Sequence, residues 1–291
     1  MRRVRLTVVG DALLDRDVEG DVRRLAPDAP VPVVDHERTR VRPGGAGLAA
    51  ALAAAGDHEV RLVTALASDA AGRELRDVLA ARGVEVVDVG LDGQTPEKIR
   101  VRTQGRALLR LDRGGDGGTV GPASGAARAA IEWADAVLVA DYGRGVAAED
   151  GLRTALTRAA ARGLPIVWDP HPRGPAPVHG AALVTPNEAE AAGFAADVPG
   201  DGPHGAIARA EALRDRWRVR CVCVTRGAHG AVVVGAGGAP LAVPAEPVPV
   251  GDPCGAGDRF AVTAAAALAD GALPSEAVVA AVASASAFVA A

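Results

Sequence analysis

The sequence lacks most features of secreted, zinc-binding and nucleic-acid-binding proteins. It has only three cysteines, Cys221, Cys223 and Cys254, and an odd number without a C-x-x-C pair indicates neither a disulfide framework nor a zinc site. Aromatic residues make up 2% of the chain, too few for the surfaces on which single-stranded nucleic acids stack. The formal net charge is −4, and because nucleic-acid binding needs a basic surface, we expect no nucleic-acid partner.

Long apolar segments are also missing. The apolar run in the N-terminal stretch MRRVRLTVVGD meets Asp11 too early for a signal peptide. The uncharged stretch from Ala277 to Ala291 is rich in alanine and too short to span a bilayer. We therefore expect a cytoplasmic protein without a membrane partner.

What the sequence does contain is an alternation of short apolar runs and helical patterns. Its 291 residues are 49% apolar and 23% charged, an ordinary globular composition with enough length to bury a sizeable core. Such alternation predicts an α/β fold with a mainly parallel central sheet. Strands are predicted at 4–9, 59–65, 136–140, 165–168, 181–184, 219–225 and 230–234, and helices at 45–56, 70–82, 148–162, 187–193, 205–217, 256–270 and 274–290.

Acidic residues follow several of the predicted strands. Ligands in α/β folds bind at the carboxyl ends of the strands. Asp11, Asp141 and Asp169 each stand at such an end, so the sequence predicts all three carboxylates on one rim of the sheet.

Two segments, 16–42 and 97–112, interrupt the alternation. Both are rich in β-forming residues and lack a helical period, and the second predicts two strands joined by a turn at Gln104-Gly105. We expect the two segments to form one small β-flap that projects from the main sheet. The Gly/Ala-rich stretch 113–126 is predicted to be a loop that returns to the main body.

The strongest chemical motif is Gly255-Ala256-Gly257-Asp258, which opens an Ala-rich helix. A glycine-rich turn at a helix N-terminus presents unpaired backbone N–H groups to an anion, which predicts a phosphate site. Asp258 in the first turn would lie beside the phosphate and could accept a proton from an attacking hydroxyl. The structural alternative is a plain glycine turn with an aspartate favoured near a helix start.

This motif, followed by Phe260 and a helix of small residues, resembles the C-terminal signature of the ribokinase-like (PfkB) carbohydrate kinases. Pro43-Gly44-Gly45-Ala46 resembles the N-terminal di-glycine motif of the same family. The resemblance implies a single ribokinase-like domain over residues 1–291, a three-layer α/β sandwich with a mainly parallel central sheet and a small β-sheet lid. The lid segments would be 16–42 and 97–112.

Within that family the chain most resembles the heptose-7-phosphate kinases, including the kinase half of the bifunctional heptose kinase/adenylyltransferase. The matching segments are Gly10-Asp11, Leu14-Asp15-Arg16, Pro27 to Val33, Arg42 to Ala46, Lys98-Ile99-Arg100, Leu109 to Asp112, Asp141 to Gly145, and Thr185 to Glu188. The resemblance implies ATP-dependent phosphorylation of D-glycero-D-manno-heptose 7-phosphate at its anomeric hydroxyl, a step towards nucleotide-activated heptose.

The resemblance also implies roles for individual residues. Asp258 would be the catalytic base, and the amides of Gly255, Ala256 and Gly257 would form the anion hole for the transferred phosphoryl group. Mg²⁺ would be held through water by Asn187 and Glu190, for which an ordinary helix N-terminal turn is the alternative. The residues expected to bind ATP are Asn187, Thr225, Gly227, Gly230, Asp252, Gly255 and Gly257.

The sugar phosphate would lie between the di-glycine motif and the lid. The residues expected to bind it are Asp11, Asp15, Gly44, Gly45, Lys98, Arg100, Arg110, Asp141 and Arg144. A remote phosphate needs cations, which the lid residues Lys98, Arg100 and Arg110 could supply, although charges on a β-flap can equally form a solvated face.

Several positions depart from the family pattern. Leu48 stands where the family usually has asparagine, and we expect it either to face the sugar or to turn into the core. Arg144 and His171 stand where lysine is usual, and a neutral His171 could not pair with a phosphate charge. Pro253-Cys254 replaces a pair of threonines, so that Cys254 is either a thiol near the active site or a small packing residue.

These departures leave two alternative functions open. One is a kinase for another sugar or sugar phosphate, such as ribose, fructose or a hexose phosphate, and the other is a catalytically silent sugar-phosphate-binding regulator. ATP and Mg²⁺ are the expected cofactors, with a monovalent cation such as K⁺ as a further candidate. We expect a homodimer formed through the exposed edges of the lid. Because the sequence ends at Ala291, we expect a separate adenylyltransferase to perform the next step.

Overall fold

A large sheet forms the middle layer of the protein. The computed structural model describes residues 3–114, 118–248 and 252–291. The strands of this part are β1 (Arg5–Gly10), β2 (Ala12–Leu25), β3 (Pro32–Gly45), β4 (Glu59–Thr64), β5 (Val84–Asp88), β6 (Leu91–Asp92), β7 (Glu97–Thr103), β8 (Arg106–Arg113), β9 (Thr119–Val120), β10 (Ala136–Ala140), β11 (Ile166–Asp169), β12 (Leu183–Val184), β13 (Cys221–Thr225), β14 (Ala231–Gly235) and β15 (Leu241–Val243). Within the described residues the large sheet has nine strands in the order β15-β14-β13-β12-β11-β10-β1-β4-β5.

The strands from β13 to β5 in that order run parallel, whereas β14 and β15 pair antiparallel at one edge. The register places Val8 of β1 opposite Leu138 of β10 and Leu62 of β4. Parallel strands covered on both faces consist of continuous apolar runs, and all five residues of β10 are accordingly buried.

Helices cover both faces of the sheet. They are α1 (Ala46–Ala55), α2 (Ala70–Ala80), α3 (Gly125–Trp133), α4 (Asp150–Ala161), α5 (Glu188–Phe194), α6 (Gly202–Trp217), α7 (Ala256–Ala269) and α8 (Pro274–Ala290). The buried residues of α1, α2, α7 and α8 pack in one core, and those of α3 to α6 pack in a second core on the opposite face. This three-layer sandwich confirms the predicted α/β fold class. None of the helices in the described ranges has the length and apolar character needed to cross a membrane.

The predicted flap is a second sheet with the strand order β3-β2-β7-β8. β2 pairs antiparallel with β3 and parallel with β7, and β7 pairs antiparallel with β8 across the turn at Gln104-Gly105. Both turn residues have positive φ, 46° and 77°, as a tight hairpin requires. The strands reach Ala12 and Gly45, so the lid is continuous with β1 on one side and with α1 on the other.

Some elements were not predicted. Helix α3 begins inside the stretch 113–126 that was expected to be a loop, and Ser124 caps it by accepting a hydrogen bond from the Ala127 amide at 3.1 Å. A serine N-cap is a recognisable signal, but the Ala- and Gly-rich stretch around it resembles a loop in composition. Residues 115–117 of that stretch lie outside the described residues. Strands β5 and β15 were also missed, because they are only five and three residues long.

Candidate active site at the carboxyl edge of the sheet

The carboxyl ends of β1, β10 and β11 carry the three acidic residues expected on one rim. The Asp11 carboxylate accepts hydrogen bonds from the backbone amides of Tyr142 at 3.1 Å, Arg144 at 3.0 Å and Val146 at 3.0 Å. It is only 3% exposed. These bonds support a role for Asp11 in fixing the 142–146 loop, and its predicted contact with substrate stays a prediction.

Asp141 lies beside Asp11 and is also buried. Its Oδ1 atom accepts a hydrogen bond from the Gly143 amide at 2.8 Å, whereas Oδ2 has no hydrogen-bond partner among the described residues. Burial raises the pKa of Asp141 to about 7, and the nearby Asp11 charge adds to the rise. A Cβ atom on Gly174 would overlap Asp141 Oδ2, so that only glycine fits there.

Helix α7 brings Asp258 to the same rim. Gly255 precedes the helix with a φ of 91°, a left-handed conformation that favours glycine. Asp258 lies in the first turn, is 8% exposed, and its Oδ1 atom accepts a 2.8 Å hydrogen bond from the Tyr142 hydroxyl. Burial raises the pKa of Asp258 to about 6, whereas the Tyr142 hydrogen bond and the Lys98 charge lower it. Such a carboxyl is ionised at neutral pH and still basic enough to accept a proton.

The anion hole predicted at this turn is partly occupied by the backbone itself. The Ala256 amide donates a hydrogen bond to the Pro253 carbonyl oxygen at 3.0 Å. A contact of Ala256 with phosphate would require that bond to open, so that the amides of Gly255 and Gly257 are the better placed donors. The Asp252 carboxylate accepts a hydrogen bond from the Cys254 amide at 3.0 Å. Cys254 is exposed, which argues against a packing role.

Asn187 and Glu190 form a capping box at the start of α5. The Asn187 side chain accepts a hydrogen bond from the Glu190 amide, and the Glu190 carboxylate accepts one from the Asn187 amide, both at 2.9 Å. Burial raises the pKa of Glu190, and burial together with the charges of Asp258 and Glu190 raises the pKa of Asp169 well above its usual range.

These raised pKa values bear on whether the site could bind Mg²⁺. Carboxylates that repel one another gain from a cation placed between them, which fits a divalent ion. The described part of the chain, however, contains no group of three or more His, Cys, Asp or Glu side chains that could hold a metal directly. The donors therefore fit a magnesium ion that keeps most of its water ligands.

A cavity of about 480 Å³ opens beside the N-terminus of α7. The turn after β13 forms one wall with Thr225, Gly227 and Gly230, and Gly257 with apolar residues of α7 and α8 forms the other. Gly230 has a φ of 82°, and a Cβ atom there would overlap the Val243 carbonyl oxygen. The cavity thus brings together four of the residues expected to bind ATP.

The di-glycine motif lies against Asp15 and Tyr142. A Cβ atom on Gly45, whose φ is 59°, would overlap the Asp11 carbonyl oxygen and lie 3.5 Å from Tyr142 Cδ2, so this position needs glycine. A Cβ atom on Gly44 would overlap Asp15 Oδ2, and a larger residue there would require the Asp15 side chain to move. Arg100 reaches across the lid and donates a 2.8 Å hydrogen bond to Asp15 Oδ1.

A group of cations surrounds Asp15. The pKa of Lys98 is lowered by its partial burial and by the charges of Arg110, Arg144 and Arg100, while Asp15 raises it. Arg100 is paired with Asp15, and the exposed Arg110 holds the Asp112 carboxylate with two hydrogen bonds of 2.8 and 2.7 Å. Nearby His171 accepts a hydrogen bond from the Arg173 amide on Nδ1. Burial and the Arg173 charge lower its pKa, so it is neutral at pH 7.

The structure adds one contact that the sequence did not predict and a position for Leu48, whose orientation the sequence left open. The motif 141–145 predicted no role for its tyrosine, although Tyr142 contacts the predicted base. Leu48 is half-buried, and its Cδ2 atom would lie 3.2 Å from a Cβ atom on Gly255. It therefore lies against the turn before α7, where it forms an apolar wall between the di-glycine motif and that turn.

The chain matches the pfkB family carbohydrate kinase profile over residues 4–291. Among curated proteins it is 55% identical over 291 residues to the bifunctional protein HldE of Streptomyces coelicolor, which covers 99% of this chain and 61% of that protein. It is 37% identical over 276 residues to the HldE protein of Azorhizobium caulinodans, with 91% of this chain and 57% of that protein covered. The chain thus spans about three-fifths of the length of these relatives.

Solved structures share the fold. A ribokinase of Arabidopsis thaliana in complex with ribose and ATP superposes with a TM-score of 0.75 at 22% identity, covering 99% of this chain and 93% of that one. Phosphofructokinase-2 of Escherichia coli in complex with potassium gives a TM-score of 0.76 at 19% identity, covering 100% and 94%. These similarities confirm the predicted ribokinase-like fold.

Proposed function

Since the chain belongs to the pfkB family of carbohydrate kinases, we propose that it transfers the γ-phosphoryl group of ATP to the anomeric hydroxyl of a heptose 7-phosphate and forms the 1,7-bisphosphate. One observation carries the proposal. The buried Asp258 lies between a cavity lined by the glycine turn after β13 and a group of cations around Asp15. The HldE relatives support the choice of sugar.

In this proposal Asp258 accepts the proton of the sugar hydroxyl as its oxygen attacks the γ-phosphorus. The bond between that phosphorus and the β,γ-bridging oxygen breaks, and ADP leaves. Tyr142 occupies Asp258 Oδ1, so Oδ2 is the oxygen available to receive the proton. The amides of Gly255 and Gly257 would donate to the phosphoryl oxygens, on which negative charge increases in the transition state.

Mg²⁺ would be held through water by Asn187 and Glu190, and it would neutralise phosphate charge when bound. Burial and the charges of Asp258 and Glu190 raise the pKa of Asp169, so a cation near Glu190 would offset part of that repulsion, which supports this place for the ion. A monovalent cation such as K⁺ stays part of the proposal without a residue assigned to it. The lid would cover the sugar and exclude water that could otherwise hydrolyse ATP.

The phosphate of the sugar would lie against the cations of the lid and of the 142–146 loop. Arg100 and Arg110 were expected to bind it, but both have carboxylate partners, Asp15 and Asp112. Lys98 and Arg144 have no ion-pair partner within 4.0 Å among the described residues, so we propose that they contribute most of the attraction. A cation without a protein partner gains more from a phosphate than one that must first leave its carboxylate.

One alternative substrate class has an observation in its favour. Leu48 places an apolar side chain against the turn before α7, where the family usually has asparagine, so one sugar hydroxyl could lack a polar partner. A different sugar phosphate would then fit as well. The other alternative, a silent regulator, fits poorly with a buried carboxyl whose pKa is about 6, close to the value a general base needs.

The decisive experiment is an ADP-release assay on a panel of sugars. Heptose 7-phosphate would be compared with its non-phosphorylated parent, ribose, fructose and fructose 6-phosphate, and the Asp258→Asn protein would correct for background hydrolysis. The highest kcat/KM is expected for heptose 7-phosphate. A higher kcat/KM on another sugar would identify that sugar as the substrate instead. ATP binding without turnover on any sugar of the panel would favour the silent regulator.

We further propose that residues 1–291 form one kinase domain that dimerises through its lid. The edge strand β8 supports the dimer, since Leu109 and Leu111 on one of its faces are 59% and 42% exposed. The Leu109→Glu and Leu111→Glu double variant should be monomeric by light scattering if the lid is the interface. An unchanged dimer would place the interface elsewhere.

A further inference from the structure

Tyr142 lies between the predicted base and the di-glycine motif. It is the single tyrosine of the chain. Its hydroxyl donates a 2.8 Å hydrogen bond to Asp258 Oδ1, and its ring lies against Gly45, where a Cβ atom would be 3.5 Å from Cδ2. The tyrosine therefore connects the residue that would accept the proton with the backbone on which the sugar would lie.

The backbone around Tyr142 is fixed by buried carboxylates. The Tyr142 amide donates to Asp11 Oδ2 at 3.1 Å, and the Gly143 amide donates to Asp141 Oδ1 at 2.8 Å. Asp11 also accepts from the amides of Arg144 and Val146. Because these bonds hold the loop at both ends, the phenol ring has a defined position before any ligand binds.

We propose that Tyr142 is a positioning residue for the phosphoryl transfer, whose hydroxyl holds Asp258 Oδ1 so that Oδ2 faces the sugar hydroxyl. The role in transfer rests on the proposed function, whereas the coupling between the two side chains does not. An aspartate carboxyl rotates readily about its last torsion, so a bond to one oxygen decides which oxygen is available to the substrate. A small displacement of a base costs a large factor in rate.

The groups around Asp258 determine how removal of the Tyr142 hydroxyl should change the pKa of Asp258. Burial raises the pKa of Asp258 to about 6, the Tyr142 hydrogen bond and the Lys98 charge lower it, and the Asp15 charge raises it. Asp169, at the end of β11, is close enough to be affected, since burial and then the Asp258 charge raise its pKa. A hydrogen bond to the charged form stabilises that form, so its loss should make Asp258 protonate at higher pH.

Tyr142 itself stays a donor throughout the working pH range. Burial raises its pKa well above the usual value, and the charges of Asp258 and Asp169 and the nearby Cys254 thiol add to the rise. The hydroxyl therefore keeps its proton while Asp258 titrates. Only one member of the pair changes charge, which makes a pH profile easy to interpret.

The first test is Tyr142→Phe, which keeps the ring and removes the hydroxyl. The acidic limb of the kcat profile should move up by about one pH unit, and kcat on the plateau should fall about tenfold, with KM for ATP nearly unchanged. The matched control is Thr185→Val, which removes a hydroxyl that donates to the neighbouring Asp169 at 3.0 Å. In that variant the acidic limb of the kcat profile should remain at the same pH as in the parent protein.

The second test uses the single tyrosine. Biosynthetic replacement with 3-fluorotyrosine labels only Tyr142, and the fluorine makes the phenol a stronger donor, so the acidic limb should move down, opposite to the phenylalanine variant. The ¹⁹F resonance of the folded protein without sugar should also titrate with Asp258 and lose that titration in Asp258→Asn.

These measurements separate the inference from the proposed function. A ¹⁹F signal that does not titrate with Asp258 would overturn the positioning role whatever the substrate is. The same holds if the acidic limb of the kcat profile moves in the same direction in the phenylalanine variant and in the fluorinated protein. Titration of the signal with no turnover on any sugar would instead reject the kinase proposal and keep the coupling. Should the phenylalanine variant not fold, the fluorinated protein decides alone.

Discussion

Asp258→Asn is expected to make the protein more stable at the same time as it removes catalysis. The variant keeps the shape of the side chain and can still accept the Tyr142 hydrogen bond, but it carries no charge. Burial raises the pKa of Asp258 from 3.8 to about 6. A rise of about two pH units corresponds to about 3 kcal/mol of unfavourable free energy when the carboxyl is ionised. Because the buried amide lacks partners for its own N–H groups, we expect a net stabilisation of about 1–2 kcal/mol.

The sign of the pH dependence follows from linkage. A carboxyl whose pKa is raised on folding binds its proton more tightly in the folded state, so its destabilising effect is complete above the folded pKa of about 6. The effect declines as the pH falls through that value and vanishes below the unfolded pKa. The charge penalty should therefore fall from about 3 kcal/mol at about pH 8 to about 1 kcal/mol at about pH 4.5. Since the cost of the buried amide does not depend on pH, the variant should be more stable than the parent at about pH 8 and lose that advantage at about pH 4.5.

Urea unfolding of both proteins at the two pH values measures the difference in free energy, and the ADP-release assay measures turnover, which should fall by about 10²–10⁴-fold. Asp112→Asn is the matched control, because Arg110 lowers the pKa of that exposed carboxyl and its loss should not stabilise the fold. A variant that is less stable than the parent at about pH 8 would refute the burial argument. Near-normal turnover would refute the assignment of the base.

Three further variants test other parts of the site. Arg144→Ala should weaken binding of the sugar phosphate by about 1.5–3 kcal/mol without changing the KM for ATP. Arg110→Ala should weaken it less, because Asp112 already binds the Arg110 guanidinium. An equal loss of binding for the non-phosphorylated sugar would contradict a phosphate contact of Arg144. Leu48→Asn should raise discrimination against deoxy or epimeric sugars by about 1 kcal/mol, and an unchanged ratio of kcat/KM values would show that Leu48 only packs. Gly230→Ala should weaken ATP binding and destabilise the fold by about 1–3 kcal/mol in thermal melts. Gly237→Ala, at a φ of 75° with no atom within 4 Å of the added Cβ, controls for backbone strain alone.

The alternation of apolar runs and helical patterns was sufficient to predict the layers of the fold. β10 shows why, since an uninterrupted apolar run of five residues has few other places than the middle of a parallel sheet. The lid was predicted for a similar reason, because the turn at Gln104-Gly105 lies between two segments of β-forming residues. Short elements at the margins, such as β15, carry too few residues for a periodic pattern.

The candidate site was predictable where a local motif sets the geometry. The glycines before α7 and the capping box of Asn187 and Glu190 are interactions between residues that are close in sequence. The partners of Arg100 and Tyr142 are not local, since these residues lie 85 and 116 positions from Asp15 and Asp258. No spacing rule relates such pairs, so the sequence could suggest Arg100 as a phosphate ligand without revealing that Asp15 already binds it.

Burial was the property that the motifs did not reveal, and it is the one that the proposed chemistry needs. An aspartate in the first turn of a helix is usually ionised and exposed, because the helix dipole favours its charge. Asp258 departs from that expectation because the lid, the 142–146 loop and α7 together remove water from it, and its pKa rises to about 6. The fold thus makes a base from a residue that would otherwise only cap a helix. The three elements that enclose Asp258 are far apart in the chain, so the proposed activity should depend on the lid and on Tyr142 as much as on the glycine motif itself.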